Sequence, residues 1–264
     1  MLKETFELLN RPQCEAYLKR LSLPWPRKAD RAFLDALIER HLAVIPFENL
    51  NTALLHLPIC LDSESLYDKI IRSRRGGYCF ELNALFLGLL RGLGYEAWPV
   101  GCRVLRRPGL PHIYHRASVV LLENTLLFCD VGFGGICCSR SAELTPNAVT
   151  ETDYAVFTVS REYRGWLNLH YVPRGTPEAA LRPLLMICET PSAPQDFLAA
   201  NEAMTAADSP FALRLMVQKL TPYGSWSIND TVLTRHTASG KETVTLDSRE
   251  ALAESLHRDF SLEI

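Results

Sequence analysis

Three textures follow one another along the 264-residue chain, and together they predict an α+β protein. Up to Leu93 the apolar residues recur at helical spacing. From Tyr95 to Pro183 short β-type runs alternate with turn residues, and beyond Pro183 helical and strand patterns mix. The expected order is helices, then an antiparallel sheet or barrel, then a mixed tail.

From Thr5 to His41, Leu9 and then Phe33, Leu34, Leu37 and Ile38 mark two helices, with Pro24 and Pro26 breaking the pattern between them. Asp62, Ser63 and Ser65 precede a further helix, Leu66 to Ser73, which ends in the basic cluster Arg72, Arg74, Arg75. Leu82, Leu85, Phe86, Leu89, Leu90 and Leu93 then share a face, and Gly94 follows as a stop, so a buried helix begins at Cys79. Strands are expected at Ala97 to Leu105, Arg116 to Leu122, Leu126 to Val131, Ala155 to Ser160 and Trp166 to Val172. The tail reads as a helix near Gln195 to Ala206, strands Phe211 to Lys219 and Trp226 to Arg235, and a turn from Ala238 to Lys241 into a strand Thr243 to Leu246. A last helix is opened by Asp247 with Glu250.

Composition narrows the function. Hydrophobic residues make up 47% and charged residues 22%, and 28 Lys and Arg against 30 Asp and Glu leave a net charge of −2. No global field draws the chain to nucleic acid or an anionic membrane. Lys3, Glu4 and Glu7 do not fit a secretory leader, and the longest apolar stretch, Ala84 to Leu90, is far short of the ~20 residues a membrane span needs, so a cytoplasmic location is expected. The eight cysteines contain no C-x-x-C pair; neither zinc nor a disulfide framework is expected.

One cysteine stands apart. In Arg75-Gly76-Gly77-Tyr78-Cys79-Phe80-Glu81-Leu82-Asn83, two glycines free the backbone immediately before a thiol at a helix start. A helix N-terminus stabilises a thiolate, and such a nucleophile needs a base and a group to orient that base. Tyr114 to Leu122 and Leu126 to Val131 read as a hairpin around Glu123-Asn124. With an even loop, opposed residue numbers sum to an odd total, so Asp130 opposes Ala117 and has His115 as its diagonal neighbour on the same face. His112 has the wrong parity; an odd loop would reverse the choice.

These residues match a known pattern. Ile45-Pro46-Phe47-Glu48-Asn49-Leu50, the string Arg75 to Asn83, and Asp130-Val131-Gly132-Phe133-Gly134-Gly135 resemble, in order and spacing, three segments of the arylamine N-acetyltransferases. The resemblance implies Cys79 as nucleophile, His115 as base and Asp130 as orienting carboxylate, a cysteine-protease-like core. It implies an N-terminal helical bundle (1–94), a central β-barrel (95–185) and a C-terminal α/β lid (186–264). It also implies that Phe47, Val104, Phe133 and Phe211 line the acceptor and pantetheine pocket. Tyr114 and Arg116-Ala117-Ser118 depart from the family's pattern around the histidine.

The implied reaction is ping-pong N-acetylation of an arylamine or arylhydrazine by acetyl-CoA, with O-acetylation of N-hydroxyarylamines as a variant, and with no tightly bound cofactor and no metal. Gly132, Gly134 and Gly135 are candidate N–H donors to a CoA phosphate. Arg72 and Arg74 read as a solvated basic helix end. Glu48 is expected to pair with Arg75. Alternatives are an amide synthase using a longer acyl chain, a transglutaminase-like or papain-like hydrolase, and a degenerate binding homologue. Acceptor identity and oligomeric state are left open.

Overall fold

The computed structural model describes residues 8–105, 109, 111–174, 181–221, 224–237 and 239–263. Thr5, at the start of the first expected helix, and Ala238, at the start of the expected turn, lie outside the described residues. The fold is α+β, in the expected order.

Helix α1 (Arg11–Leu21) opens on a reciprocal cap: Asn10 Oδ1 accepts the Gln13 N–H and Gln13 Oε1 accepts the Asn10 N–H. Helix α2 (Arg31–Val44) is capped by Asp30, whose carboxylate accepts the Phe33 N–H. After the two-residue strand β1 (Phe47–Glu48) come α3 (Leu50–Ala53) and α4 (Ser63–Tyr67), the latter running into a π-helical turn, Asp68–Arg72. Helix α5 (Cys79–Gly92) is buried at every residue from Cys79 to Leu90 and apolar there except for Glu81 and Asn83, which makes it the central helix of the core. It ends where Gly94, at φ 91°, lets Tyr95 N–H turn back to Leu90 O.

The middle of the chain forms an eight-stranded antiparallel sheet: β2 (Glu96–Val104), β3 (His115–Leu122), β4 (Thr125–Cys129), β5 (Ala142–Glu143), β6 (Val149–Glu151), β7 (Ala155–Tyr163), β8 (Trp166–Pro173) and β9 (Arg182–Cys188). The spatial order is β5-β4-β3-β2-β9-β8-β7-β6, and the two end strands pack against each other, so the sheet is a nearly closed barrel. The closure depends on β9, which lies between β2 and β8. This strand was not anticipated, because Leu184 to Cys188 is a continuous apolar run without alternation. It also carries the barrel past position 185 to Cys188.

A 3₁₀ turn (Pro194–Phe197), α6 (Leu198–Thr205) and α7 (Pro210–Leu213) lead into a second antiparallel sheet. Its strands are β10 (Met216–Thr221), β11 (Gly224–Asn229), β12 (Val232–Thr237) and β13 (Gly240–Thr245), with α8 (Arg249–Phe260) closing the chain. β1 joins the edge of this sheet beside β10, so residues 47 and 48 tie the first section to the last. Three expectations are corrected here. Phe211 lies in a helix capped by Ser209 rather than in a strand, because Ser-Pro is a helix start. Trp226 to Arg235 is a hairpin and not one strand; Asp230 takes φ 54° at its turn. The last helix is capped by Ser248 instead of Asp247.

Candidate active site

Gly76 and Gly77 let two chain segments touch. A Cβ on Gly76 would stand 2.1 Å from the Pro46 carbonyl oxygen, and Gly77 pairs with Phe47 as an isolated bridge, its carbonyl accepting the Glu48 N–H at 2.8 Å. The nucleophile segment is thus backed by Pro46-Phe47-Glu48. Behind it sits a buried charge cluster. Glu48 Oε1 accepts from Arg75 Nη2 at 2.8 Å and Nε at 3.1 Å, as expected of that pair, while Lys69 reaches Glu81 at 2.7 Å and Glu48 at 3.8 Å. Glu81 Oε2 in turn accepts the N–H of Tyr78, the residue before the sulfur. Two acids matched by two bases leave no isolated buried charge. Burial nonetheless pushes the Glu81 carboxyl up, against the pull of Lys69.

Cys79 is the first residue of α5 and is buried, its thiol directed at the Tyr114 carbonyl oxygen at 3.8 Å. The hairpin of β3 and β4 brings the other two groups. Leu122 pairs with Thr125 and Ser118 with Cys129, so the loop is Glu123-Asn124, both in the left-handed region that such a two-residue turn requires. With that register fixed, His115 Nε2 lies 2.7 Å from Asp130 Oδ2, both side chains being buried. The ring also interacts with the Cys79 thiol, which favours its charged form. Burial alone would lower its pKa, but the charge and hydrogen bond of Asp130, with the Cys79 contact, raise it from 6.5 to about 10. The thiol, imidazole and carboxylate are therefore in one chain of contacts, whereas His112 is exposed and stacks on Tyr114.

Asn83 went unassigned in the sequence and is central here. One helical turn beyond Cys79, its Nδ2 donates to Asp130 Oδ1 at 2.9 Å and to the Arg116 carbonyl at 2.6 Å, and its Oδ1 accepts the Val131 N–H at 3.0 Å. The available signal was its i+4 spacing from Cys79, which puts both on one face of α5. Gly132 completes the support: its N–H donates to Asp130 Oδ1 at 2.9 Å, and a Cβ there would stand 2.9 Å from Cys79 Cα. That corrects its expected role, since an N–H engaged by Asp130 is not free for a phosphate. Gly134 and Gly135 are half-buried, Gly134 at φ 65° against the ring of Phe47.

Aromatic rings cluster beside His115 and beside Tyr78, the residue before Cys79. Phe133 meets His115 edge-on at 5.5 Å, Phe211 meets Tyr78 at 5.6 Å, and Phe47 lies 6.3 Å from Phe211. Val104 ends β2 two residues beyond Cys102, the pairing partner of His115. A cavity of about 310 Å³ opens between Ile136, Tyr154 and the second sheet at Leu220, Ser225 and His236. It shares Gly135, Gln218 and Leu220 with a smaller void that reaches Phe47 and Gly134. Arg72 is exposed and paired with Glu64 and Asp68, as a solvated helix end requires. Among the described residues no helix is long and apolar enough to cross a membrane.

Comparison with known proteins places this geometry. A family model described as N-acetyltransferase matches residues 30–264. A relative from Escherichia coli K12, named arylamine N-acetyltransferase, is 35% identical over 158 residues, 59% of this chain and 56% of that one. The chain spans about half the length of the first curated relatives it matches. The solved arylamine N-acetyltransferase of Salmonella typhimurium superposes with a TM-score of 0.88 at 26% identity, covering 96% of this chain and 92% of that one. The Mycobacterium marinum arylamine N-acetyltransferase in complex with CoA superposes at 0.84 with 25% identity, covering 94% and 92%.

Proposed function

Because the chain belongs to the arylamine N-acetyltransferase family, we propose that it transfers acetyl from acetyl-CoA to the nitrogen of arylamines and arylhydrazines through an acetyl-cysteine at Cys79. One observation carries the reading: a free thiol at the first residue of a buried helix sits beside an imidazole whose Nε2 is held by a buried carboxylate.

In this reading His115 holds the proton of Cys79, and Asp130 keeps the ring oriented and charged. The sulfur attacks the thioester carbonyl, backbone N–H groups at the start of α5 steady the oxyanion, and CoA leaves as the thiol with the proton from His115. The acceptor nitrogen then attacks the acetyl-cysteine while His115 takes its proton, and the sulfur is regenerated. An N-hydroxyarylamine oxygen serves the same way. The aromatic rim of Phe47, Phe133 and Phe211, with Val104, suits a flat apolar acceptor. Gly135, at the edge of the 310 Å³ cavity, and Gly134, on the smaller void beside it, are the glycines left to meet the CoA pantetheine and phosphates.

The work divides among three sections: 1–94 with the nucleophile, a barrel from 95 extended to Cys188 with His115 and Asp130, and the remainder covering the cleft. Eight cysteines without a C-x-x-C pair fit a cytoplasmic setting. Initial rates with acetyl-CoA and an aniline varied together test the mechanism. Parallel double-reciprocal lines, an absence of turnover in C79S, and preference for acetyl over longer acyl-CoA donors are expected. Intersecting lines contradict the ping-pong scheme, and preference for a long acyl chain makes the protein an amide synthase.

A further inference from the structure

Asn49 is 3% exposed, and every polar atom of its side chain engages one stretch of chain 162 to 167 residues further on. Its Nδ2 donates to the carbonyl oxygens of Phe211 and Arg214, each at 2.7 Å, and its Oδ1 accepts the Met216 N–H at 2.7 Å. The Asn49 backbone N–H adds a bond to the Met216 carbonyl at 3.3 Å, and Thr52 Oγ1 a second donor to the Phe211 carbonyl at 2.9 Å. Only an amide fits this set. Two carbonyls need a two-proton donor and the N–H needs an acceptor, whereas a carboxylate would face both carbonyls with negative charge.

The segment so held does not hold itself. Helix α7 has four residues, none of them buried, and Leu213 is 69% exposed. A single turn of helix has no stability of its own, and of its side chains Phe211 is the one that packs, partly buried, against the main core. Its side-chain hydrogen bonds are the Ser209 cap and the bonds from Asn49 and Thr52. What it positions is Phe211, whose ring rests on Tyr78, the neighbour of Cys79, and faces Phe47. Asn49 follows Glu48, the partner of Arg75, so one dipeptide joins the nucleophile segment to the aromatic wall opposite it.

Resting on the reading above, in which Phe211 lines the acceptor pocket, we infer that Asn49 is a positioning residue for the aromatic acceptor: it fixes Phe211 beside Cys79 and so sets the preference for aryl partners without touching them. The prediction concerns selectivity more than overall activity.

The test is a double-mutant cycle on the intact chain, using N49A, F211A, the pair, and the milder T52V. Alkylation of Cys79 by N-phenylmaleimide against N-ethylmaleimide reads the aryl preference with no acetyl-CoA present. The wild type should favour the phenyl reagent, N49A should reduce that ratio about tenfold and T52V about two- to threefold. Adding N49A to F211A should change nothing further. In turnover, acetyl-enzyme partitioning between aniline and water should shift toward water by the same factor, with hydrolysis itself within about twofold of wild type. Additive effects in the pair, equal slowing of both reagents, or no phenyl preference in the wild type would overturn the inference. Should N49A not fold, an unchanged ratio in T52V overturns it. A chain that forms no acetyl-cysteine refutes acetyl transfer and leaves the maleimide ratio to decide on Asn49.

Discussion

The imidazole of His115 meets Asp130 Oδ2 at 2.7 Å, while Oδ1 of the same carboxylate is held by Asn83 Nδ2 and the Gly132 N–H, each at 2.9 Å. The carboxylate is therefore fixed on one oxygen by helix α5 and its own loop, and offers the other to the ring. Replacing Asp130 by Asn keeps the shape but puts an uncharged amide where the ring needs an anion. D130N should acylate Cys79 roughly 10²- to 10⁴-fold more slowly, measured as the burst with an activated acetyl ester.

Asn83 acts on the same carboxylate from outside the reacting groups. N83A strands the Val131 N–H and leaves Asp130 Oδ1 held by the Gly132 N–H alone. A loss of about 1–3 kcal/mol in stability is expected from urea unfolding, together with slower acylation at unchanged acetyl-CoA KM.

The raised pKa of His115 gives stability a definite pH dependence. The folded ring keeps its proton up to about 10, the unfolded ring only to about 6.5. Between those values only the folded state binds the proton, so this contribution is complete below pH 6.5 and is lost as pH rises toward about 10. Burial also raises the thiols of Cys102 and Cys129, which adds alkaline loss above their usual range. Comparing denaturation midpoints of wild type and D130N isolates the His115 part: the wild type should fall more steeply from pH 7 to pH 9.

His41 acts at the other end. Buried against Phe86 and hydrogen-bonded to Tyr17, it has its pKa pushed down by burial, and by Arg20, to about 3. Its contribution is present above pH 6.5 and fades as pH falls toward 3, because the unfolded ring then binds a proton that the folded one refuses. H41N should lessen the loss of stability between pH 6.5 and pH 4.5, followed by urea midpoints.

The legible part of the site was the part set by parity and local punctuation. Glu123-Asn124 between two apolar runs fixed a two-residue turn, and period two then put His115 and Asp130 on one face. Gly76-Gly77 marked a freed backbone open to the close approach of another segment, and that segment is the Pro46 backbone. Asn83 and Asn49 were not legible because an amide carries no charge and no periodicity; their partners, backbone atoms and the Asp130 carboxylate, belong to segments 33 to 167 residues away. For the same reason β9 escaped notice, its five apolar residues being compatible with strand or helix until β2 and β8 are seen on either side. Gly132 was read as an open donor because its hydrogen bond to Asp130 closes only two residues back, within the loop.

Gly132 gives a steric test. A methyl group there would lie 2.8 Å from Asn83 Nδ2 and 2.9 Å from Cys79 Cα, both fixed by helix α5. G132A should lower stability by about 1–3 kcal/mol and displace the thiol from the ring, which the rate of Cys79 alkylation at neutral pH reports.

The claim on which all of this turns is that the sulfur of Cys79 carries the acyl group. Peptide mass spectrometry after brief mixing with acetyl-CoA, in the absence of acceptor, tests it most directly. One acetyl group on the peptide holding Cys79, lost on adding an arylamine and absent from D130N over the same interval, is the predicted result. Acetyl on another residue, or an unmodified thiol in protein shown to be folded, contradicts it.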